Sequence, residues 1–492
     1  MRQLRLKSAD STKNVVWHGI CNLKVVTHRP ESETMSTFDN PFDPNKSLHR
    51  GCTCGKHASQ ADHNAAIAAS PNPTDEEAAL NRAVESSIMR SLFPEDRTRR
   101  NFIKAVGVST AMAAVSTFFP MAAAKAVAAD PIGPLEKKSL KVGFIPITCA
   151  TPIIMAHPMG FYEREGLDVE VIKTAGWALI RDNVHSGQLD ASHMLSPMPI
   201  SSSLGIGARQ QETYVATIQN INGQAITMHN KHKENRDPNN WKGMTFGIPY
   251  DHSMHNLLLR YYLAEHGVDP DRDVKLKVIA PPEMVANLKA GNIDGFLGPE
   301  PFNQRAVYEG AGFIHVLSKD LWDGHPCCAF GATKSFVEEN PNTFSALFRA
   351  IASATVYAHK KENRPEIIEA IAPSNYLNQP KIVLDQVMTG RYADGLGNII
   401  EEPERADFDP FPWESMGVWI LTQMKRWGYI EEEINYADIA EEIFRATDAR
   451  ERLAEMGLPA PEINSKKHMI MGKEFDPAKP KEYLESFEIG RS

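Results

Sequence analysis

The chain has 492 residues, a formal net charge of −9 and a hydrophobic fraction of 42%. This length allows about two to four domains, and the hydrophobic fraction is that of a soluble globular protein with a sizeable core. The mild acidity argues against nucleic acid as a partner, because a nucleic-acid-binding surface needs clustered Lys and Arg. Six cysteines are too few and too scattered for a disulfide framework.

Residues 1–97 are predicted to form a disordered polar leader. Met1–Thr34 is basic and without pattern, and Met35 is a second candidate for the true start. The leader holds a cluster of metal-capable residues, namely His49, Cys52, Cys54, His57 and His63. Cys-x-Cys is not a standard zinc spacing. The cluster is therefore either a metal or redox site used before export or an incidental feature of a discarded leader.

Residues 98–128 are predicted to be a twin-arginine signal peptide. Thr98–Lys104 contains the arginine pair, an Ala-rich run follows to Ala124, and 126–128 supplies small residues for cleavage. The alternative is a transmembrane anchor, but the uncharged run is rich in Ala, Ser, Thr and Gly rather than Leu and Ile. We expect a soluble periplasmic protein that begins near Ala129 and is exported, already folded, by the twin-arginine translocase.

Two stretches of the exported part share one layout. Each reads as a strand, a helix, a Gly, a second strand, a second helix and a final Gly-x-x-Asp, from Ile145 to Asp190 and from Ile248 to Asp294. Two similar βαβαβ units predict two lobes with a cleft between them. Since open α/β sheets bind ligands beyond the carboxyl ends of their strands, the loops after Ile147 and Ile248 are expected to face the cleft.

The patterns place lobe 1 at 129–240, lobe 2 at 241–340 and a helical return segment at 341–492 that packs on lobe 1. Apolar residues at helical spacing predict the helices of this segment. The predicted helices are Phe344–His359, Arg364–Ala370, Ile382–Met388, Trp413–Trp427 and Tyr436–Met456. The tail after Ala460 is predicted to be irregular.

Lobe 1 offers three candidate ligand-binding residues. Thr148 lies between the first strand and the first helix, where free backbone N–H groups receive anions. Trp177 follows a strand and opens a helix, so it either walls a pocket or belongs to the core. Gln224 lies in a stretch that mixes polar and apolar residues, which suits the edge of a cleft.

Two histidines open the first helix of lobe 2, His252 and His255, where Asp251 and Ser253 are both plausible N-caps. The helix dipole disfavours the cationic form of a histidine in this first turn. One of the two is expected to present a neutral hydrogen-bond donor to a ligand and the other to be structural, and the spacing does not decide which.

Glu300 and a cysteine pair complete the candidates. Glu300 follows a predicted strand and could bind a cation, accept a hydrogen bond from a ligand or pair with Arg305. Cys327 and Cys328 could form a vicinal disulfide, bind a soft metal or remain inert thiols. With Cys149 the exported part has three cysteines, so at least one is unpaired within a monomer.

Several motifs together resemble the nitrate- and bicarbonate-binding proteins of ABC transporters. The resemblance extends over about Leu140 to Ala460. The motifs are Thr174–Trp177 with Arg181–Asn183, Leu189–Ala191 with Leu195–Pro199, Asn222–Ile226, His255–Ala264 and Pro282–Lys289. The resemblance implies a two-lobed type II periplasmic binding fold with a hinge. It also implies delivery of a small oxyanion to a membrane permease that is driven by a cytoplasmic ATPase.

In the nitrate-binding members a Trp, a Gln and a His line the pocket, and by position these are Trp177, Gln224 and His255. A planar monoanion suits an aromatic wall, neutral N–H donors and a helix amino end. The family pattern carries a Lys shortly after a His-Pro, whereas this chain has Cys327 and Cys328 there. The pocket is therefore expected to lack that cation.

The leading hypothesis is a receptor, not an enzyme, for nitrate, nitrite, bicarbonate or cyanate, in which lobe closure is the signal to the permease. We expect no cofactor, with calcium as a co-ligand, Glu300 being a candidate, if the anion is bicarbonate. A second hypothesis is a thiamin-pyrimidine precursor synthase or binding protein of the same superfamily. A third is a ligand sensor, against which the export signal argues.

Overall fold

The computed structural model describes residues 133–490. The predicted leader, its Cys and His cluster, and the predicted signal peptide lie outside the described residues. Within 133–490, no helix combines the length and the apolar character needed to cross a lipid bilayer.

Fifteen strands are present between residues 133 and 490. In chain order they are β1 Ser139–Phe144, β2 Asp168–Lys173, β3 Ala191–Leu195, β4 Thr213–Asn222, β5 Gln224–His229, β6 Thr245–Ile248, β7 Lys275–Val278, β8 Gly295–Pro299, β9 Gly312–Leu317, β10 Pro326–Thr333, β11 Arg391–Ala393, β12 Ile399–Glu401, β13 Ala406–Asp407, β14 His468–Ile470 and β15 Lys473–Phe475.

Sixteen α-helices accompany them in the same part of the chain. They are α1 Thr151–Ala156, α2 Phe161–Arg164, α3 Trp177–His185, α4 Met198–Ser203, α5 Met254–Glu265, α6 Pro281–Lys289, α7 Phe302–Tyr308, α8 Ser318–Leu321, α9 Lys334–Glu339, α10 Pro341–His359, α11 Arg364–Ile371, α12 Lys381–Thr389, α13 Glu414–Arg426, α14 Tyr436–Ile443, α15 Ala446–Glu455 and α16 Pro480–Glu485.

Two main sheets define two lobes. The first has the order β13-β4-β10-β3-β1-β2 and the second the order β7-β6-β8-β5-β9. In the first sheet β1 pairs in parallel with β2 and β3, and in the second β6 pairs in parallel with β7 and β8. The next strand of each sheet, β10 or β5, is antiparallel to its neighbour β3 or β8. The sequence repeat therefore corresponds to the same arrangement of three parallel strands in both lobes.

The repeated Gly-x-x-Asp has one structural role in the two lobes. Asp190 accepts a hydrogen bond from the backbone N–H of Lys141 at 2.8 Å and donates its own N–H to the carbonyl of Lys141 at 2.9 Å. Asp294 does the same with Thr245, at 2.9 and 2.8 Å. The preceding glycines both have φ of 73°, a conformation that favours glycine. The motif thus ends a helix and fixes the start of the central strand.

The chain changes sheets at two places that differ from the predicted lobe boundaries at 240 and 340. It leaves the first sheet after β4 and enters the second with β5, separated by Gly223, and it returns to the first sheet with β10. The difference has a physical cause. Each exchanged strand is a short buried run that satisfies its backbone in either sheet, so the pairing partner is set by tertiary contacts.

The return segment contacts both lobes rather than lobe 1 alone. Helix α10 packs on α1, α2 and β4, whereas α13 packs on α5 of lobe 2. The rings of Tyr261 and Trp419 lie 6.1 Å apart across this second contact. The predicted helix Tyr436–Met456 is divided at Arg445, which has φ of 26°. The tail, predicted to be irregular, forms the β14–β15 hairpin and α16.

Candidate functional site

The loops at the carboxyl ends of the central strands meet between the lobes. Thr148, after β1, donates both its backbone N–H and its hydroxyl to the carbonyl of Glu300, after β8, at 2.9 and 3.0 Å. Arg181 of α3 donates to the hydroxyl of Tyr250, after β6, at 2.9 Å. These contacts join lobe 1 to lobe 2, so the described conformation has a closed cleft.

Trp177 is the first residue of α3 and is buried, with 2% of its surface exposed. Its ring centroid lies 5.2 Å from that of His193 in β3. The indole Nε1 has no hydrogen-bond partner, and neither ring nitrogen of His193 has one. Burial lowers the pKa of His193 to about 3, so this imidazole is neutral near pH 7. Trp177 therefore presents a free donor beside an uncharged polar ring.

The two histidines at the start of α5 have different surroundings. Ser253 is the N-cap, since its hydroxyl oxygen accepts the backbone N–H of Asn256 at 3.0 Å. His252 lies edge-on between Tyr250 and Tyr429, with ring centroids 5.7 and 5.3 Å away. His255 is fully buried, and both of its ring nitrogens lack a partner. Its charge would also act on the pKa of His193, so the two rings are neighbours.

Gln224 opens β5 directly after the sheet exchange and is 1% exposed. Neither atom of its side-chain amide has a hydrogen-bond partner. The backbone carbonyl of Gln224 accepts a hydrogen bond from the hydroxyl of Ser318 at 3.0 Å. That hydroxyl in turn accepts a hydrogen bond from Nε2 of His325 at 2.8 Å. Burial lowers the pKa of His325 to about 4, so it too is neutral near pH 7. The backbone of Gln224 is thus fixed while its amide remains unpaired.

Cys149, Cys327 and Cys328 form a buried cluster of three thiols. The sulfur of Cys327 lies 3.3 Å from that of Cys149 and 3.5 Å from that of Cys328, and no disulfide joins them. Burial raises the pKa of the Cys149 and Cys328 thiols. Burial opposes ionisation of Cys327 as well, but its contacts with the two other thiols and the electrostatic effect of the nearby His255 outweigh it and lower the Cys327 pKa.

Glu300 pairs with Arg405 and not with Arg305, which was one of the three alternatives for this carboxylate. One carboxylate oxygen pairs with the guanidinium of Arg405, and both side chains are 1% exposed. The other oxygen accepts the backbone N–H of Gln304 at 3.2 Å. Arg305 instead pairs with Glu309. Both oxygens of Glu300 are therefore occupied by protein donors, which leaves this carboxylate poorly suited to hold a calcium ion.

Six residues were predicted to bind the ligand. Four of them are buried and keep a free polar group or thiol, and the other two do not. The four are Trp177, Gln224, His255 and Cys328. Thr148 was predicted to offer a backbone N–H to an anion, but both of its donors are used by Glu300 because the lobes close on this contact. Glu300 is held by Arg405.

Sequence reasoning missed three residues. His193 of β3 was not among the candidates, and neither was Gln219 of β4, which has both side-chain amide atoms buried without a partner. A histidine and a glutamine inside otherwise apolar strands are a usable signal, because a buried polar side chain needs a partner. Arg405 had no local signal, since its partner is remote in sequence.

Comparisons with known proteins identify the family and the fold. A family model described as the NMT1-like family matches residues 133–372. The nitrate/nitrite binding protein NrtA of Nostoc sp. is 33% identical over 384 residues, which cover 72% of this chain and 87% of that protein. The nitrate import ATP-binding protein NrtC of Synechocystis sp. is 34% identical over 382 residues, and the chain spans 56% of that relative's length.

The crystal structure of the periplasmic nitrate-binding protein NrtA from Synechocystis matches with a TM-score of 0.71. The sequences are 29% identical, and the match covers 73% of this chain and 100% of that one. The predicted two-lobed periplasmic binding fold is therefore confirmed. From these matches we conclude that the chain belongs to the NMT1-like family, as a relative of the nitrate/nitrite binding protein NrtA.

Proposed function

We propose that the protein is the periplasmic solute-binding component of an ABC transporter and that its ligand is nitrate or nitrite. The observation that carries the proposal is the set of buried, unpartnered polar groups on Trp177, His193, Gln224 and His255. An unsatisfied buried polar group costs about 1–3 kcal/mol, so unpartnered groups that include the adjacent rings of Trp177 and His193 indicate a missing ligand. These groups come from both lobes, as a receptor that closes on its ligand requires.

The charge of these groups favours an anion whose single charge is spread over several atoms. The indole and amide groups are neutral, and the low pKa of His193 keeps its ring uncharged near pH 7. Neutral donors compensate the dehydration of a diffuse monoanion more readily than that of a compact or doubly charged one, because the dehydration cost rises steeply with charge density. Nitrate has three oxygen acceptors in one plane, which suits donors arranged beside an aromatic ring.

Relatives give the same direction. NrtA of Nostoc sp. is named for binding nitrate and nitrite, and NrtC of Synechocystis sp. is named as an ATP-binding protein for nitrate import. We therefore propose a membrane permease and an ATPase as partners, with lobe closure as the signal. From the motif at Thr98–Lys104 we also propose export by the twin-arginine translocase. In this function the protein binds and releases its ligand without chemical change.

Isothermal titration calorimetry of the purified protein with nitrate, nitrite, cyanate and bicarbonate tests the proposal. The bicarbonate titration is run with and without calcium. The nitrate and nitrite titrations are repeated with calcium as well. We expect heat of binding from nitrate or nitrite and no dependence of either on calcium. Absence of binding by all four anions, together with tight binding of a thiamin-pyrimidine precursor, would replace this function with the second hypothesis.

A further inference from the structure

We propose that Cys149, Cys327 and Cys328 form a binding site for one thiophilic metal ion inside the cleft. The three sulfur atoms all lie within 4.8 Å of one another, and all three residues are buried. Among residues 133–490, no other group of three or more Cys, His, Asp or Glu side chains brings its ligand atoms this close together.

The spacing of the sulfur atoms fits a shared ion. A metal–sulfur bond of about 2.3 Å places the ligands of one tetrahedral ion about 3.7 Å apart. The two printed contacts, 3.3 Å from Cys327 to Cys149 and 3.5 Å from Cys327 to Cys328, are slightly shorter than this separation. Displacement of these sulfur atoms by a few tenths of an ångström would therefore admit the ion.

An irregularity in β10 brings the two adjacent cysteines to one side. Successive residues of a regular strand point to opposite faces of its sheet. The pairing of β10 with β4 changes register between Pro326 and Cys328 and again between Cys328 and Ala329. Such bulges redirect a side chain and recur beside functional sites. Cys149 approaches from the loop after β1, so the cluster joins a loop and a strand of the same lobe.

The chemistry of the cluster selects soft ions. Thiolates favour Cu(I), Zn(II) and Cd(II) over Mg(II), Mn(II) and Ca(II), which prefer oxygen ligands. Each sulfur that binds releases its proton, so three thiolates around a divalent ion carry a net charge of −1, and around Cu(I) a net charge of −2. Three-coordinate Cu(I) needs no further ligand, whereas Zn(II) takes a fourth. His255, which interacts with Cys327 and has no partner on either ring nitrogen, is the available fourth ligand.

Metal titration of the reduced full chain tests the proposal without any anion present, so its outcome is independent of the nitrate assignment. The background carries Cys21→Ser, Cys52→Ser and Cys54→Ser, which removes the other three cysteines. The probes are Cu(I), Zn(II) and Cd(II), each measured against a competing chelator. We expect one ion per chain and a sulfur-to-metal charge-transfer band in the ultraviolet spectrum.

Single substitutions Cys149→Ser, Cys327→Ser and Cys328→Ser on this background are each expected to weaken binding by at least about 100-fold, more than the loss of an outer partner costs. Met469→Ser removes an exposed sulfur, 57% accessible, and is the matched control that should bind normally. The variant His255→Ala distinguishes the two ions, because it should weaken the binding of Zn(II) and leave the binding of Cu(I) unchanged.

Thiol labelling provides a measurement that does not depend on how the variants fold. Both the metal-bound and the metal-free protein are treated with a maleimide during unfolding. Bound metal is expected to protect all three sulfurs, whereas the metal-free control is labelled. The proposal is overturned if none of the three ions binds, if the serine variants bind as tightly as their parent, or if the protein isolated from the periplasm holds a Cys149–Cys327 disulfide.

Discussion

Replacing Trp177 by phenylalanine removes the indole N–H and keeps an aromatic ring beside His193. Nε1 has no partner in the protein, so its loss breaks no intramolecular hydrogen bond. If nitrate accepts this donor, the variant forfeits one hydrogen bond to a charged ligand, about 1.5–3 kcal/mol. That free energy corresponds to a rise of about 10- to 150-fold in Kd.

The assay is calorimetry of nitrate binding by the wild type and the variant, with thermal unfolding of both in the absence of ligand. Trp413→Phe is the matched control, because Trp413 is also buried with an unpartnered Nε1 but belongs to a hydrophobic cluster that does not include Trp177. It should leave Kd unchanged. Wild-type affinity in Trp177→Phe would show that the indole is not a ligand donor and that the pocket is misplaced.

Three further predictions concern the same region. His255→Ala should weaken nitrate binding by about 1–3 kcal/mol in calorimetry, and an unchanged Kd would exclude this imidazole. Glu300→Gln removes the negative charge beside the buried guanidinium of Arg405 and should lower the free energy of unfolding in urea by about 3–5 kcal/mol, with recovery in the double variant that adds Arg405→Met. Because the pKa of His193 falls from 6.5 unfolded to about 3 folded, the unfolded chain binds more protons between these values. The contribution of His193 to the free energy of unfolding should therefore decrease as pH falls through this window, by up to about 1.4 kcal/mol per pH unit, and His193→Gln should reduce the measured slope by that amount.

The local architecture was predictable because it depends on short patterns. The repeat ending at Asp190 and Asp294 fixed the two sets of three parallel strands, and the role of both carboxylates is the same hydrogen bond to a central strand. The start of a helix at Trp177 also follows from neighbouring residues. Periodicity and glycine positions encode such features directly.

Contacts between distant segments were not predictable in the same way. Glu300 pairs with Arg405 rather than with Arg305, although the second arginine is much nearer in sequence. The proximity of Cys149 to Cys327 depends on the position of β10 in the first sheet. Nothing in the local pattern of β10 distinguishes one sheet from the other, because a buried strand suits either.

The exchange of strands has a consequence for the order in which the two lobes fold during synthesis. The five strands of the second sheet all lie between Gln224 and Leu317, whereas the first sheet needs β10 and β13 from beyond that stretch. The second sheet can therefore form as soon as residues 224–317 have left the ribosome. The first sheet, whose first strand is synthesised earlier, can be completed only after β10 and β13 have been synthesised. A chain truncated before residue 326 would retain all five strands of the second sheet, whereas the first sheet would lack β10 and β13.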